Sequence, residues 1–183
     1  MKKYLHIALM LLCVLVIPAC GDDDKVDQEA VELEAYKLEQ EVAFLEKADD
    51  PNYVKWESEA GDGYVLAKLI KKGSGKKAYF NSRVSVYYKG YFTNGEVFDE
   101  YQLENGVPFR CAVSYYYANS YYGSVISGWG VALQHMEEGD IYEVWIPQKL
   151  AYGSTVNGDI PAYSTLIFEI ELVSVDQQAA TIG

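Results

Sequence analysis

The sequence predicts an α+β fold: an antiparallel β-sheet wrapped around one short helix, with a separate amphipathic helix on its N-terminal side. Three observations lead there. Segments of strand composition with two-residue alternation recur between residues 64 and 175, and one stretch among them reads as a helix. Ahead of the first strand, apolar residues recur at steps of four and three, the spacing of one helix face. Half of the 183 residues are apolar and 17 are tyrosine, so one ordinary domain can bury a core.

Taken in chain order, "MKKYLHIALMLLCVLVIPAC" begins with two lysines, runs apolar from Leu5 to Pro18, and places Ala19 before a cysteine. Residues 1–19 therefore read as a secretory signal, too short and too near the start for a good membrane span. "IPAC" resembles a bacterial lipobox, which implies cleavage before Cys20, lipid on its thiol, and anchoring in the bacterial cell envelope, at the periplasmic or surface face of the outer membrane; ordinary secretion is the alternative. The "GDDD" that follows resembles the acidic tags that send some Bacteroidetes lipoproteins to the cell surface. Losing Lys2 and Lys3 with the signal takes the net charge from -12 to -14. That charge, without a basic stripe, argues against nucleic acid as a partner. The one basic cluster, "KLIKKGSGKK" at 68–77, contains a Gly-Ser-Gly turn and reads as a solvated hairpin. Of three cysteines only Cys111 stays in the body, as a small core residue with no disulfide partner.

Residues 20–30 read as an acidic tether and 31–50 as the amphipathic helix, with Val31, Ala35, Leu38, Val42 and Leu45 as its stripe and "ADDPN" as its end. The stripe fits packing on the chain's own domain or, alternatively, a dimer seam, and the oligomeric state stays open. The domain proper spans 51–175, with a tail at 176–183. Its strands are "YVLAKLI" (64–70), "RVSVYYKGYF" (83–92), "IYEVWIP" (141–147) and "TLIFEIELVSV" (165–175), and "TNGE" carries the Asn-Gly step of a tight turn. "SGWGVALQHMEEGD" (127–140) reads as the short helix, with Ser127 as N-cap and Gly139 as stop.

Reactive groups are scarce. Outside the signal the only histidine is His135, and no Cys/His cluster, phosphate loop or nucleophile elbow is present in the sequence. An enzyme built from these residues needs a reaction without nucleophile, metal or other cofactor. Rotation about an X-Pro amide is such a reaction, with a barrier of roughly 18–20 kcal/mol. A protein lowers that barrier by holding the twisted amide better than the planar forms, in an apolar pocket with a few hydrogen-bonding groups at its rim. The twisted amide has less charge separation, so it suffers less from leaving water.

The segments "VSVYYKGYFTNGEVFDE" (84–100), "VPFRC" (107–111), "VISGWGVALQHMEEGD" (125–140), "AYG" (151–153) and "IPAYSTLIFEIELVSV" (160–175) occur in the order found in the FKBP-type peptidyl-prolyl isomerases, which the chain resembles over most of 63–175. The resemblance implies that Trp129 forms a pocket floor under the proline ring, with Tyr88, Phe98, Phe109, Val125, Ile126, Ile160 and Phe168 around it. It also implies that the Ile126 N–H and the Tyr152 hydroxyl bond substrate carbonyls, and that Asp99 sits at the rim and accepts from Tyr88. Proline-containing polypeptides become the expected partners and macrolides the expected inhibitors. Without the resemblance, these aromatics read first as ordinary core.

Two features depart from the family pattern. The segment "EYQLENGV" (100–107) has no basic residue, where members often carry an arginine that braces the aspartate, and "STVNGD" (154–159) is short and lacks a frequent histidine. Between the P-F strand and the V-I-x-G-W helix this chain also inserts a tyrosine-rich segment. Tyr115, Tyr116, Tyr117, Tyr121 and Tyr122 either extend the lip of the binding groove or pack on the sheet. The same residues also fit two further functions: a peptide-holding module of the same fold with little turnover, and a structural envelope lipoprotein without a pocket.

Overall fold

The computed structural model describes residues 27–101 and 106–178. The signal segment, Cys20, most of the tether and the last five residues lie outside the described residues. Helix α1 spans Gln28–Ala48. The strands are β1 (Val54–Glu57), β2 (Tyr64–Lys71), β3 (Ser82–Tyr91), β4 (Val97–Tyr101), β5 (Phe109–Ala112), β6 (Ile141–Ile146) and β7 (Leu166–Gln178), with helix α2 at Ser127–Leu133 between β5 and β6. They form one antiparallel sheet of order β1-β2-β6-β7-β3-β4, and β5 pairs with the first half of β3 on the edge that β4 takes further along.

Period-two patterning decides which side chains meet. Along β3, Val84, Val86, Tyr88 and Gly90 point to the covered face, and across it Phe168, Ile170 and Leu172 of β7 do the same. Helix α2 lies on that face with Trp129, Val131, Ala132 and Leu133 buried. Cys111 belongs to the same core, and burial pushes its thiol up to about 12, so it stays protonated.

Helix α2 is shorter than the sequence pattern suggests. It ends at Leu133, Ile126 rather than Ser127 is its N-cap, and no side chain caps it. The residues after it leave the helix because a neighbouring segment takes their backbone groups: Ala78 N–H donates to Met136 C=O at 3.0 Å and Glu138 N–H to Lys76 C=O at 2.9 Å. Gly139, expected to stop the helix, instead takes a positive φ in the turn into β6. The basic stretch 68–77 is not a hairpin, since β2 pairs with β1 and β6. Its loop is fixed by acid groups: Gly73 N–H donates to buried Asp140 at 2.7 Å, Lys76 N–H to Glu138 at 3.0 Å, and Lys72 pairs with Glu137 at 2.8 Å.

Helix α1 starts three residues before the predicted stripe, capped by the Asp27 carboxylate, which accepts from Glu29 and Ala30 N–H. It packs on its own domain, but through the opposite face. At 100° per residue Tyr36, Gln40, Phe44 and Lys47 share one side, and the Val31/Ala35/Leu38/Val42/Leu45 stripe lies on the other. The domain surface explains the choice. The Tyr36 hydroxyl meets Ser164 Oγ at 2.8 Å, Gln40 Nε2 donates to Thr93 Oγ1 at 3.1 Å, and the Gln40 amide oxygen accepts from Thr165 N–H at 3.2 Å. Phe44 tilts against Tyr64 at 5.5 Å and the Lys47 ammonium sits 4.8 Å over the Trp145 ring.

Candidate active site

A cavity of about 580 Å³ opens where the concave face of the sheet meets the N-terminus of α2. Its floor is Trp129, only 4% exposed. Tyr88, Phe168 and Phe109 stand edge-on to the indole at 5.1, 5.2 and 6.3 Å, with interplanar angles of 85–89°. Phe98 stands edge-on to Phe168 at 5.5 Å and closes one side. Each ring is held by its element: Tyr88 and Phe168 face inward from neighbouring strands, Phe98 comes from β4, and Phe109 from β5.

Two glycines make this packing possible. A Cβ on Gly128 would lie 2.3 Å from Ile146 Cγ2, so only glycine lets the start of α2 settle on β6 and bring Trp129 to the cavity. A Cβ on Gly90 would lie 2.7 Å from Phe98 Cζ and 3.0 Å from Phe168 Cε1. The missing side chain is therefore the seat on which two wall rings rest.

Polar groups are confined to the rim. The Tyr88 hydroxyl donates to Asp99 Oδ2 at 2.6 Å. Burial first, and this carboxylate second, push the Tyr88 hydroxyl well above the ordinary tyrosine range, so it stays a donor at any physiological pH. Ile126 has extended backbone, and its C=O accepts from Trp129 N–H at 3.0 Å. Its own N–H has no protein acceptor among the described residues. Tyr152, 37% exposed, also lines the cavity, next to the 3-10 turn Gln148–Leu150. Val125 and Ile160 complete the apolar lining.

Thus Tyr88, Phe98, Asp99, Phe109, Val125, Ile126, Trp129, Tyr152, Ile160 and Phe168 lie around one cavity. Sequence reasoning missed Ser124, Asn157 and Asp159, which also line it. Asn157 and Ile160 pair across a tight turn, and no residue pattern announces which side of that turn faces the groove.

The tyrosine-rich segment lies elsewhere, and none of its five candidate residues lines the cavity. Tyr115–Tyr117 form a 3-10 turn at the end of β5 away from Phe109, tied by Val113 N–H to Ser82 C=O at 3.0 Å and by Arg83 Nε to Tyr117 C=O at 3.0 Å. Tyr117 packs edge-on to Phe80, Tyr122 is buried, and Arg110 stacks over Tyr121 at 4.8 Å. Tyr115 and Tyr116 stay 64% exposed.

Chemically, the arrangement offers an aromatic hole, one free backbone donor and a hydroxyl-carboxylate pair. Among the described residues no group of three or more His, Cys, Asp or Glu could hold a metal ion. His135 stacks on Trp56 at 4.5 Å and is not among the lining residues.

Comparison with known proteins gives the same picture. Residues 75–173 match the FKBP_C family, described as FKBP-type peptidyl-prolyl cis-trans isomerase. The chain is 33% identical over 168 residues to the isomerase FkpA of Buchnera aphidicola, covering 83% of this chain and 62% of that protein. It is 36% identical over 170 residues to the macrophage infectivity potentiator of Trypanosoma cruzi, covering 91% of this chain and 78% of that one. A crystal structure of a peptidyl-prolyl cis-trans isomerase from Pseudomonas syringae superposes with a TM-score of 0.64 at 30% identity, over 86% of this chain and all of that one. With the family matched over more than half its length, the chain belongs to the FKBP-type peptidyl-prolyl cis-trans isomerases.

Proposed function

We propose that the chain catalyses cis-trans isomerisation of X-Pro bonds in exported polypeptides, from a lipid anchor on Cys20 in the bacterial envelope. The observation that carries the activity is the aromatic cavity over Trp129, with the free Ile126 N–H and the Tyr88–Asp99 pair at its rim. The proline ring stacks into the hole, the Ile126 N–H and Tyr152 hydroxyl hold carbonyls on either side, and the amide between them rotates in a site poor in water. No bond breaks. Rate comes from binding the twisted amide more tightly than the planar one, tenfold for each 1.4 kcal/mol or so of difference. Residues 1–20 support the export and the anchor through their signal and lipobox pattern. Macrolides that fill the same hole act as competitive inhibitors in this reading.

A protease-coupled assay on a short Phe-Pro peptide tests the activity. Wild type accelerates the slow phase, and Trp129→Ala, which removes the floor, loses most of the acceleration. Turnover by wild type no better than by Trp129→Ala rejects the enzymatic reading. Radiolabelled palmitate incorporated by wild type and not by Cys20→Ala supports the anchor, and equal labelling rejects it. A peptide-holding role without turnover is favoured by one observation, the exposed rings of Tyr115 and Tyr116 away from the cavity. It predicts peptide binding with an unchanged isomerisation rate.

A further inference from the structure

The concave surface does not end at Phe98. Beyond that ring a second hollow of about 520 Å³ lies between α1 and the turn joining β3 to β4, walled by Tyr36 and Glu39 of the helix and by Phe92 and Glu96 of the turn. Phe98 and Asp159 line both hollows, so they are neighbouring compartments with a common wall. The Phe98 ring lies 4.9 Å from Phe92, which lines the second hollow, and 5.5 Å from Phe168, which lines the first. Those two steps together set an upper bound on the separation of Phe92 and Phe168 of about three extended residues, at ~3.3 Å each.

The second compartment is already built. The Tyr36–Ser164 and Gln40–Thr93 hydrogen bonds clamp α1 to the domain on its edge, and Gly95 N–H to Phe92 C=O at 2.9 Å closes the turn opposite. A ligand therefore meets fixed walls and orders little on entry. Its chemistry differs from that of the first. Tyr36 and Phe92 offer flat apolar faces, Glu39, Glu96 and Asp159 offer carboxylates, and no lysine or arginine lines it. None of the three carboxylates is in an ion pair among the described residues. Aromatic walls with acids at the mouth match a side chain that has an apolar stem and a cationic head.

We propose that this compartment takes a lysine or arginine of the client polypeptide about three residues from the proline bound over Trp129, at the extended-chain spacing above. Helix α1, which lies outside the matched family region of 75–173, is then a specificity element of the isomerase. The inference rests on the isomerase reading for its client.

Octapeptides with one Phe-Pro step and either lysine or glutamate three residues from the proline test it, with a Phe-Pro tetrapeptide as reference. At low salt, wild type shows a kcat/KM and an affinity about fivefold higher or more for the lysine peptide, and the preference shrinks toward one in 0.5 M salt. In Glu39→Gln/Glu96→Gln the preference falls below about twofold while tetrapeptide turnover matches wild type. Equal handling of the two octapeptides by wild type overturns the proposal. A preference that persists in the double variant also overturns it, since the overall negative charge then attracts the peptide. Fluorescence anisotropy of labelled octapeptides keeps the two readings apart. A wild type that turns over no peptide rejects isomerase activity, while the ratio of the two affinities still decides this compartment.

Discussion

Replacing Gly90 by alanine places one methyl group where two wall rings meet, and the structure says which ring must yield. The new Cβ would lie 2.7 Å from Phe98 Cζ and 2.9 Å from Phe98 Cε2, closer than carbon atoms approach, and 3.0 Å from Phe168 Cε1, a tight contact. Phe168 is boxed between Trp129 at 5.2 Å and Tyr88 at 6.3 Å and has nowhere to go. Phe98, half-buried at the cavity edge, is the ring that moves, by roughly 1 Å to restore ordinary contact near 3.5–4 Å. Overpacking of this kind costs about 1–3 kcal/mol. For a domain of this size that lowers Tm by roughly 2–12 °C. The displaced ring also deforms a wall shared by both hollows, so kcat/KM on a Phe-Pro peptide falls about tenfold or more, the equivalent of ~1.4 kcal/mol of transition-state binding. Differential scanning calorimetry and the protease-coupled assay read the two effects. An alanine variant that melts and turns over like wild type would show that Gly90 is not the seat of these rings.

Other consequences follow from the same contacts. Tyr88→Phe removes the donor to Asp99 while keeping the ring, so kcat/KM drops about three- to tenfold and Tm changes little; a variant with unchanged kcat/KM contradicts a role for the pair. Gln40→Ala leaves Thr165 N–H without its acceptor in a buried position and costs about 1–3 kcal/mol of stability, read by urea denaturation. A loss within error would mean α1 docks without this residue. Burial first, and the Lys77 ammonium second, hold the His135 imidazole below its usual value, with Glu59 opposing weakly. The unfolded chain takes up that proton near pH 6.5, so the stability carried by neutral His135 is present above about 6.5 and is lost as pH falls toward the depressed folded value. His135→Gln flattens the stability-pH curve on the acid side of 6.5 relative to wild type; an unchanged slope would locate the effect elsewhere.

How far the sequence carried the fold depended on whether a local pattern or a distant partner decided the outcome. The alternation along 83–92 placed Val84, Val86 and Tyr88 on one face because a strand has only two faces to choose between. The length of α2 was hidden, since what ends it is pairing of Met136–Glu138 with residues 76–78, far upstream in the chain. The docked face of α1 was hidden for a related reason. Apolar spacing marks a stripe, but hydrogen bonds from Gln40 and Tyr36 to Ser164, Thr93 and Thr165 select the other side. In the site, ring-bearing residues were legible through ordered segments of family resemblance, whereas Asn157, Asp159 and Ser124 reach the cavity through loop geometry that carries no periodic signal. The tyrosine segment stood out by composition, yet its place is set by bonds to Ser82 and by Gly123 N–H to Arg110 C=O at 3.2 Å, which composition does not reveal.

The central claim is that the cavity over Trp129 rotates a prolyl bond instead of only holding it. Nuclear magnetic resonance exchange spectroscopy on a Phe-Pro tetrapeptide, with protein at about one-hundredth of the peptide concentration, measures this directly. Uncatalysed exchange takes tens to hundreds of seconds at 25 °C. The account predicts cis-trans cross-peaks at mixing times of about a second with wild type, far slower exchange with Trp129→Ala, and a peptide-induced shift of the Trp129 indole signal. Binding that shifts the indole signal without producing cross-peaks would contradict it.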